Sequence, residues 1–197
     1  MIFFYRLILK IHILYQSFIQ QIYLKICLAK GLKVGKNVRF VEVPQFGTEP
    51  FLIEIGDETT FSNNVRFVNH DGGQNALHFF EKYKDVRTFG RIKIGKRCLI
   101  GADTIIMPGV EMQDNCILGA GSILTTSMPA GTVFAGVPAK FICTLEEYGE
   151  KLLAHNVMYP RELERNRRKL EEYIKTHLPH TYRPAKEGQR NVKGMSK

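Results

Sequence analysis

An apolar residue returns at every sixth position between Ile94 and Leu124: Ile94, Ile100, Ile106, Met112, Leu118 and Leu124 follow one another without a slip. An amphipathic helix repeats near 3.6 residues and a half-buried strand at two, so a period of six describes a short strand plus a turn, repeated. Each hexad is then one face of a coil. Its second position is often glycine (Gly95, Gly101, Gly119), supplying backbone freedom at a corner, and Pro108-Gly109 adds a turn signal. The fifth position is slim, as in Cys98, Thr104, Val110, Cys116 and Ser122, so the inside of the coil must be narrow. Three faces would close a triangular prism and stack residues three hexads apart, Cys98 and Cys116 among them, at roughly the 4.8 Å spacing of neighbouring strands.

The strings Ile92-Lys93-Ile94-Gly95, Leu99-Ile100-Gly101-Ala102, Ile106-Met107-Pro108-Gly109-Val110, Leu118-Gly119-Ala120-Gly121-Ser122 and Ala135-Gly136-Val137-Pro138-Ala139-Lys140 carry a family likeness. They resemble the C-terminal half of the hexapeptide-repeat acyltransferases, whose fold is a left-handed parallel β-helix. The likeness is close over residues 91–143 and looser over 34–70, through Val34-Gly35, Ile55-Gly56 and the frame 55, 61, 67. The fold expected is mainly β: a left-handed parallel β-helix over 31–143, with a loop excursion at 71–91. It should carry an N-terminal amphipathic helix (1–30), C-terminal helices (144–180) and a flexible basic tail (181–197).

The chain has 197 residues and a formal charge of +9, which suits anionic partners without choosing among a phosphorylated cofactor, a nucleotide sugar, a membrane surface and nucleic acid. Cys27, Cys98, Cys116 and Cys143 lack the close pairs of a zinc ribbon or redox motif and read as free, space-filling thiols. The first thirty residues are rich in Ile, Leu, Phe and Tyr, but Arg6, Lys10, His12, Gln16, Gln20, Gln21 and Lys25 interrupt every long apolar run. A membrane span needs about twenty mostly apolar residues, and a signal peptide needs a cleaner apolar core. An amphipathic helix is expected instead, either packed on the prism, the preferred reading, or lying in a membrane interface.

The distance from Phe67 to Ile94 is not a multiple of six, so a segment loops out between Asp71 and Arg91. Its stretch from Gln74 to Tyr83 mixes aromatic and polar residues, as an acceptor-binding loop or a cover for a neighbouring subunit would. Thr144-Leu145-Glu146-Glu147 has the form of a capped helix start, and a second helix is expected between Arg161 and His177, after Pro160. The residues from Arg183 onward are nearly devoid of apolar side chains and read as a solvated tail, with no nucleic-acid role expected.

His70 stands at the mouth of the excursion in Asn69-His70-Asp71-Gly72-Gly73. Neutral imidazole suits removal of a proton from an attacking hydroxyl or amine near pH 7, a contribution of about 10² to 10⁴ in rate. The position also matches the catalytic histidine of related sugar and xenobiotic acetyltransferases, and the string resembles that of capsule and lipopolysaccharide acetyltransferases. By that resemblance His70 is the general base, with His78 the nearby rival. Asp71 or another carboxylate would orient it, and Asn69 would position the acceptor or form a turn. Asn69, Asp71 and His78 are thus the candidate substrate-binding residues.

No Walker loop or dinucleotide fingerprint is present. The resemblance implies acetyl-CoA, held at Ala102, Ala120, Thr125, Thr126 and Lys140 in a groove between copies of a homotrimer. Thr126 departs from the lysine that relatives often carry. The expected activity is O-acetylation of a sugar hydroxyl in surface polysaccharide synthesis, in the cytoplasm or peripherally at the inner face of the membrane. The alternatives are N-acetylation of a nucleotide-linked amino sugar, xenobiotic acetylation, or an assembly scaffold without activity. The γ-type carbonic anhydrases use the same prism but need three imidazoles on zinc. The coils and excursion hold only His70 and His78, so no metal is expected.

Overall fold

The computed structural model describes residues 2–154 and 159–177, which fall into two compact units, one ending at Lys151 and the other beginning at Leu152. The first unit opens with helix α1 (Ile2–Ala29) and continues as a succession of two- to five-residue strands. These are β1 (Lys33–Val34), β2 (Arg39–Phe40), β3 (Ile53–Ile55), β4 (Thr60–Phe61), β5 (Arg66–Phe67), β6 (Ile92–Ile94), β7 (Leu99–Ile100), β8 (Ile105–Ile106), β9 (Glu111–Met112), β10 (Ile117–Leu118), β11 (Ile123–Leu124), β12 (Thr132–Ala135) and β13 (Lys140–Thr144).

The strands sort into three sheets: β1-β3-β6-β9, β2-β4-β7-β10-β12-β13, and β5-β8-β11. From β3 to β11 the chain visits first, second and third sheet in strict rotation, and all of these pairings are parallel. A coil of three faces is therefore the architecture of this unit. Its axis is filled by the hexad residues: Ile94, Ile100, Ile106, Met112, Leu118 and Leu124 are all buried, as are Ile55, Phe61 and Phe67 of the looser frame. The slim residues Cys98, Thr104, Val110, Cys116 and Ser122 are buried at the corners, and the four cysteines are free thiols.

Two expectations are corrected. Stacking three hexads apart holds only for the later coils, as in Lys93 over Glu111, which are 18 apart. In the first coil, pairs such as Lys33 and Glu54 lie 21 apart, because three extra residues enter the corner between Phe46 and Ile55. That corner bulges outward and includes a short 3-10 turn at Pro50–Leu52. The second correction concerns glycine. Gly95, Gly101 and Gly119 do not have positive φ; in the coils that conformation belongs to Asn37, Glu58, Asn64, Arg97, Asp103 and Asn115, and among the glycines of the Ile94–Leu124 run to Gly109 and Gly121. What the hexad glycines provide is contact between coils, since a Cβ on Gly101 would sit 2.4 Å from Ala120 N and one on Gly95 would sit 2.6 Å from Gln113 C.

Both ends of the coil stack are partly covered. At the start, Gln20 Oε1 and Tyr23 Oη of α1 accept the backbone N–H groups of Val43 and Phe46, at 3.2 and 2.9 Å. The helix stops at Gly31 (φ 96°) in a Schellman arrangement, where Leu32 N–H donates to Cys27 O and Gly31 N–H donates to Leu28 O. Only this last third packs: Cys27 and Leu32 join the core, whereas Phe4, Ile11 and Phe18 are about 60% exposed. The preferred reading of α1 as a packed helix thus describes its C-terminal end alone. At the other end β13 runs antiparallel to β12.

The excursion contains the short helix α2 (Gln74–Leu77) and a 3-10 turn at Glu81–Tyr83. Helix α3 (Leu145–Ala154) begins at the expected capping box, with Glu147 N–H donating to Thr144 Oγ1 and Thr144 N–H to Glu147 Oε2. In the second unit a 3-10 stretch follows Pro160, and α4 (Arg167–His177) starts after Asn166, whose Oδ1 accepts Lys169 N–H. The tail expected at 181–197 lies outside the described residues. Among the described residues no helix is long and apolar enough to cross a membrane.

Gly101→Ala should lower stability by at least about 1–3 kcal/mol, the range for overpacking. Gly149→Ala on α3, where an added Cβ meets nothing within 4 Å, should be neutral or stabilising by up to about 1 kcal/mol. Urea unfolding of the two variants against the wild type measures the difference.

Candidate active site

The third sheet turns back to the first at two irregular corners stacked on one another: the bulge at 47–52 and the excursion that follows Phe67. His70 lies at the neck of the excursion, which is closed by a bridge between His70 and Phe89. Asp71 N–H donates to Thr88 O at 3.1 Å and Gly90 N–H to Asn69 O at 3.0 Å, completing the neck. The bulge supplies Glu49, 21 residues before His70, which is the same step that pairs Lys33 with Glu54. Glu49 Oε2 lies 2.8 Å from His70 Nδ1, with the imidazole 43% and the carboxylate 20% exposed.

This contact assigns the tautomer. An ionised carboxylate can only accept, so Nδ1 carries the proton that it donates to Glu49. In the neutral imidazole the lone pair is then on Nε2, free to accept a proton. Burial pushes the Glu49 carboxyl up, but the hydrogen bonds from Thr48 Oγ1 (2.7 Å) and His70 outweigh it and hold the group below its ordinary value. Glu49 therefore stays ionised throughout the neutral range.

The neighbours of His70 serve the frame. Asn69 is buried, and its Nδ2 donates to Phe46 O (2.9 Å) and Glu49 O (3.0 Å), so the amide pins the bulge that presents Glu49. Gly47 allows this close approach, because a Cβ there would fall 2.7 Å from Asn69 Oδ1. Asp71 turns away and accepts Gly73 N–H at 2.8 Å, leaving the orientation of His70 to Glu49. His78 lies out on the excursion with its Nε2 3.0 Å from Arg87 Nη1. Glu49 escaped the sequence reading, although the spacing of nine rather than six between Phe46 and Ile55 marked the corner that carries it.

The positions expected to hold a coenzyme separate onto two edges. Ala102 and Ala120 stack where the second sheet turns into the third, with Gly121 N–H donating to Ala102 O at 2.8 Å, and Lys140 starts β13 opposite Ala135. Thr125 and Thr126 follow β11, on the edge of His70, since Phe67 pairs with Ile106 and Ile106 with Leu124. All but half-buried Ala102 are exposed. Among the described residues no three His, Cys, Asp or Glu side chains gather as metal ligands. An open depression of about 300 Å³ lies on the outer face of the first sheet, away from the imidazole, lined in part by Phe51, Glu54, Arg91, Lys93 and Glu111.

Residues 91–126 match the family model for the hexapeptide repeat of succinyl-transferase. Protein CapG of Staphylococcus aureus is 40% identical over 142 residues, 71% of this chain and 81% of that protein. The chain belongs to the hexapeptide-repeat acetyltransferase family. Galactoside O-acetyltransferase of Escherichia coli (strain K12) is 35% identical over 94 residues, covering 48% of this chain and 45% of its own length. A solved galactoside acetyltransferase in complex with coenzyme A aligns with a TM-score of 0.44 and 24% identity, over 65% of this chain and 70% of that one.

The depressed carboxyl of Glu49 predicts a pH dependence. Its contribution to stability is present above the unfolded glutamate value, about 4.3, and fades as pH falls through the lower folded value. Wild type should therefore be more stable than Glu49→Gln at pH 7, with the gap narrowing as pH falls below the unfolded glutamate value, as read from urea midpoints of both proteins.

Proposed function

We propose that this protein is an acetyl-CoA-dependent O-acetyltransferase acting on a sugar hydroxyl, in the synthesis of a surface polysaccharide. The observation that carries the reading is the Glu49–His70 pair: in a chain of this family it leaves Nε2 as an oriented, solvent-facing base at a coil edge. The family membership and the galactoside O-acetyltransferase relative support a sugar hydroxyl as acceptor. The likeness of the Asn69–Gly73 string to capsule and lipopolysaccharide enzymes supports the polysaccharide setting.

In the proposed reaction His70 Nε2 takes the acceptor's hydroxyl proton as its oxygen attacks the thioester carbonyl, while Glu49 stabilises the imidazolium that forms. Backbone N–H groups of the coil corners would meet the developing oxyanion. Collapse breaks the C–S bond, and the imidazolium returns its proton to the leaving thiolate. No covalent enzyme intermediate is involved.

The separation of Ala102, Ala120 and Lys140 from the His70 edge fits a coenzyme lying between left-handed prisms, with one copy supplying the alanine edge and the next supplying His70. A closed homotrimer would hold three such grooves. Asp71, His78 and the exposed aromatics of the excursion, Phe79 and Phe80, would then border the acceptor.

Thiol release from acetyl-CoA against a panel of sugars, nucleotide amino sugars and glycan fragments tests the proposal. Wild type should show acceptor-dependent release, His70→Ala should lose about 10² to 10⁴ of it, and Glu49→Gln should lose less. Release with amino sugars alone would reassign the acceptor, and activity surviving His70→Ala would reject the base.

A further inference from the structure

Helix α1 has two faces with different neighbours. At about 100° per residue, Phe4, Ile8, Ile11, Tyr15, Phe18 and Ile22 fall within a quarter of its circumference. Gln20, Tyr23, Leu24 and Cys27, the residues that meet the first coil, cluster on nearly the opposite side. The apolar stripe therefore points away from the first coil, with Phe4, Ile11, Tyr15 and Phe18 each 59–62% exposed, and ahead of that contact Tyr5, Leu9 and Ile13 on the other side of the helix are more than half exposed as well. Leu7, Leu14 and Ile19 widen it.

The charge on the helix and the first coil up to Val41 has one sign. No acidic residue precedes Glu42, whereas Arg6, Lys10, Lys25, Lys30, Lys33, Lys36 and Arg39 all fall in that stretch. From these observations we propose that the stripe docks on an anionic phospholipid bilayer, with α1 lying in the interface beneath the first coil. The helix cannot span: Arg6, Lys10, His12 and Gln16 interrupt it, and no described helix is apolar enough to cross. A broad apolar surface with aromatic residues, interrupted by charges of basic sign alone, suits the headgroup boundary of an anionic bilayer. A second copy of α1 fits less well. It would bring Lys10 and Lys25, at the border of the arc, to an interface where α1 offers no acidic residue to pair, and the arc is wider than a two-residue coiled-coil seam.

Co-flotation of the full chain with vesicles tests this. Wild type should bind vesicles of mixed phosphatidylglycerol and phosphatidylcholine, and bind pure phosphatidylcholine far more weakly. Ile11→Ser with Phe18→Ser should reduce binding about a hundredfold, and Arg6→Gln with Lys10→Gln about tenfold on the anionic vesicles only. Thermal midpoints of both variants should match wild type. The proposal is overturned by a wild type that floats with neither vesicle, or by stripe variants that bind as wild type does. It is equally overturned if wild type sediments without lipid as a larger species than the Ile11/Phe18 variant and binds no vesicles, which would give the stripe to a second copy.

Discussion

The structure depends on one constraint: successive coils must approach to about the 4.8 Å of a parallel ladder along every face at once. Backbone bonds from coil to coil, such as Gly95 N–H to Met112 O at 2.7 Å and Gly101 N–H to Leu118 O at 2.8 Å, set that spacing. Everything inside has to fit it. Large hexad residues fill the faces, slim ones fill the corners, and glycine stands where the next coil's backbone leaves no room for a Cβ. The corner polar groups are consumed the same way, with Thr59 Oγ1 donating to Gly95 O and Ser122 Oγ to Gly119 O.

The candidate site sits where the constraint is relaxed. Regular corners present little beyond backbone, whereas the two irregular corners at 47–52 and 68–91 are stacked on one another and carry Glu49 and His70. Asn69 links the frame to that site. Its amide is buried in the coil, yet its bonds to Phe46 O and Glu49 O fix the corner that aligns the imidazole. A coil stack also has two open ends with unpaired strand groups, which invite further pairing. Gln20 and Tyr23 bond two such groups at the first, and at the last β13 pairs antiparallel with β12 on the second face. A helix one turn past Gln20 would suffice for the bonds at the first end, and α1 is far longer.

Much of this was legible in the order of residues. The six-residue period gave the coils from Ile94 onward, the Thr144–Glu147 box gave the start of α3, and the break after Phe67 gave the excursion, because these signals are local and repeat. The place of His70 at that break was legible too, while its role as base rests on likeness to related enzymes. Glu49 was not, since its partner lies a full coil away and the extra residues of the 47–52 corner obscure the register.

By itself the sequence determined which residues face the axis, because a strict period leaves one inward position in each hexad and the apolar ones must occupy it. Only the tertiary structure decided what the long-range partners are. It selected Glu49 over Asp71 as the group that orients His70, and committed Asn69 to the frame. It also turned the apolar stripe of α1 outward, because Gln20 and Tyr23 bind the first coil from the opposite side. Those outcomes depend on register between coils and on which face of a helix finds a hydrogen-bonding partner, neither of which a local pattern contains.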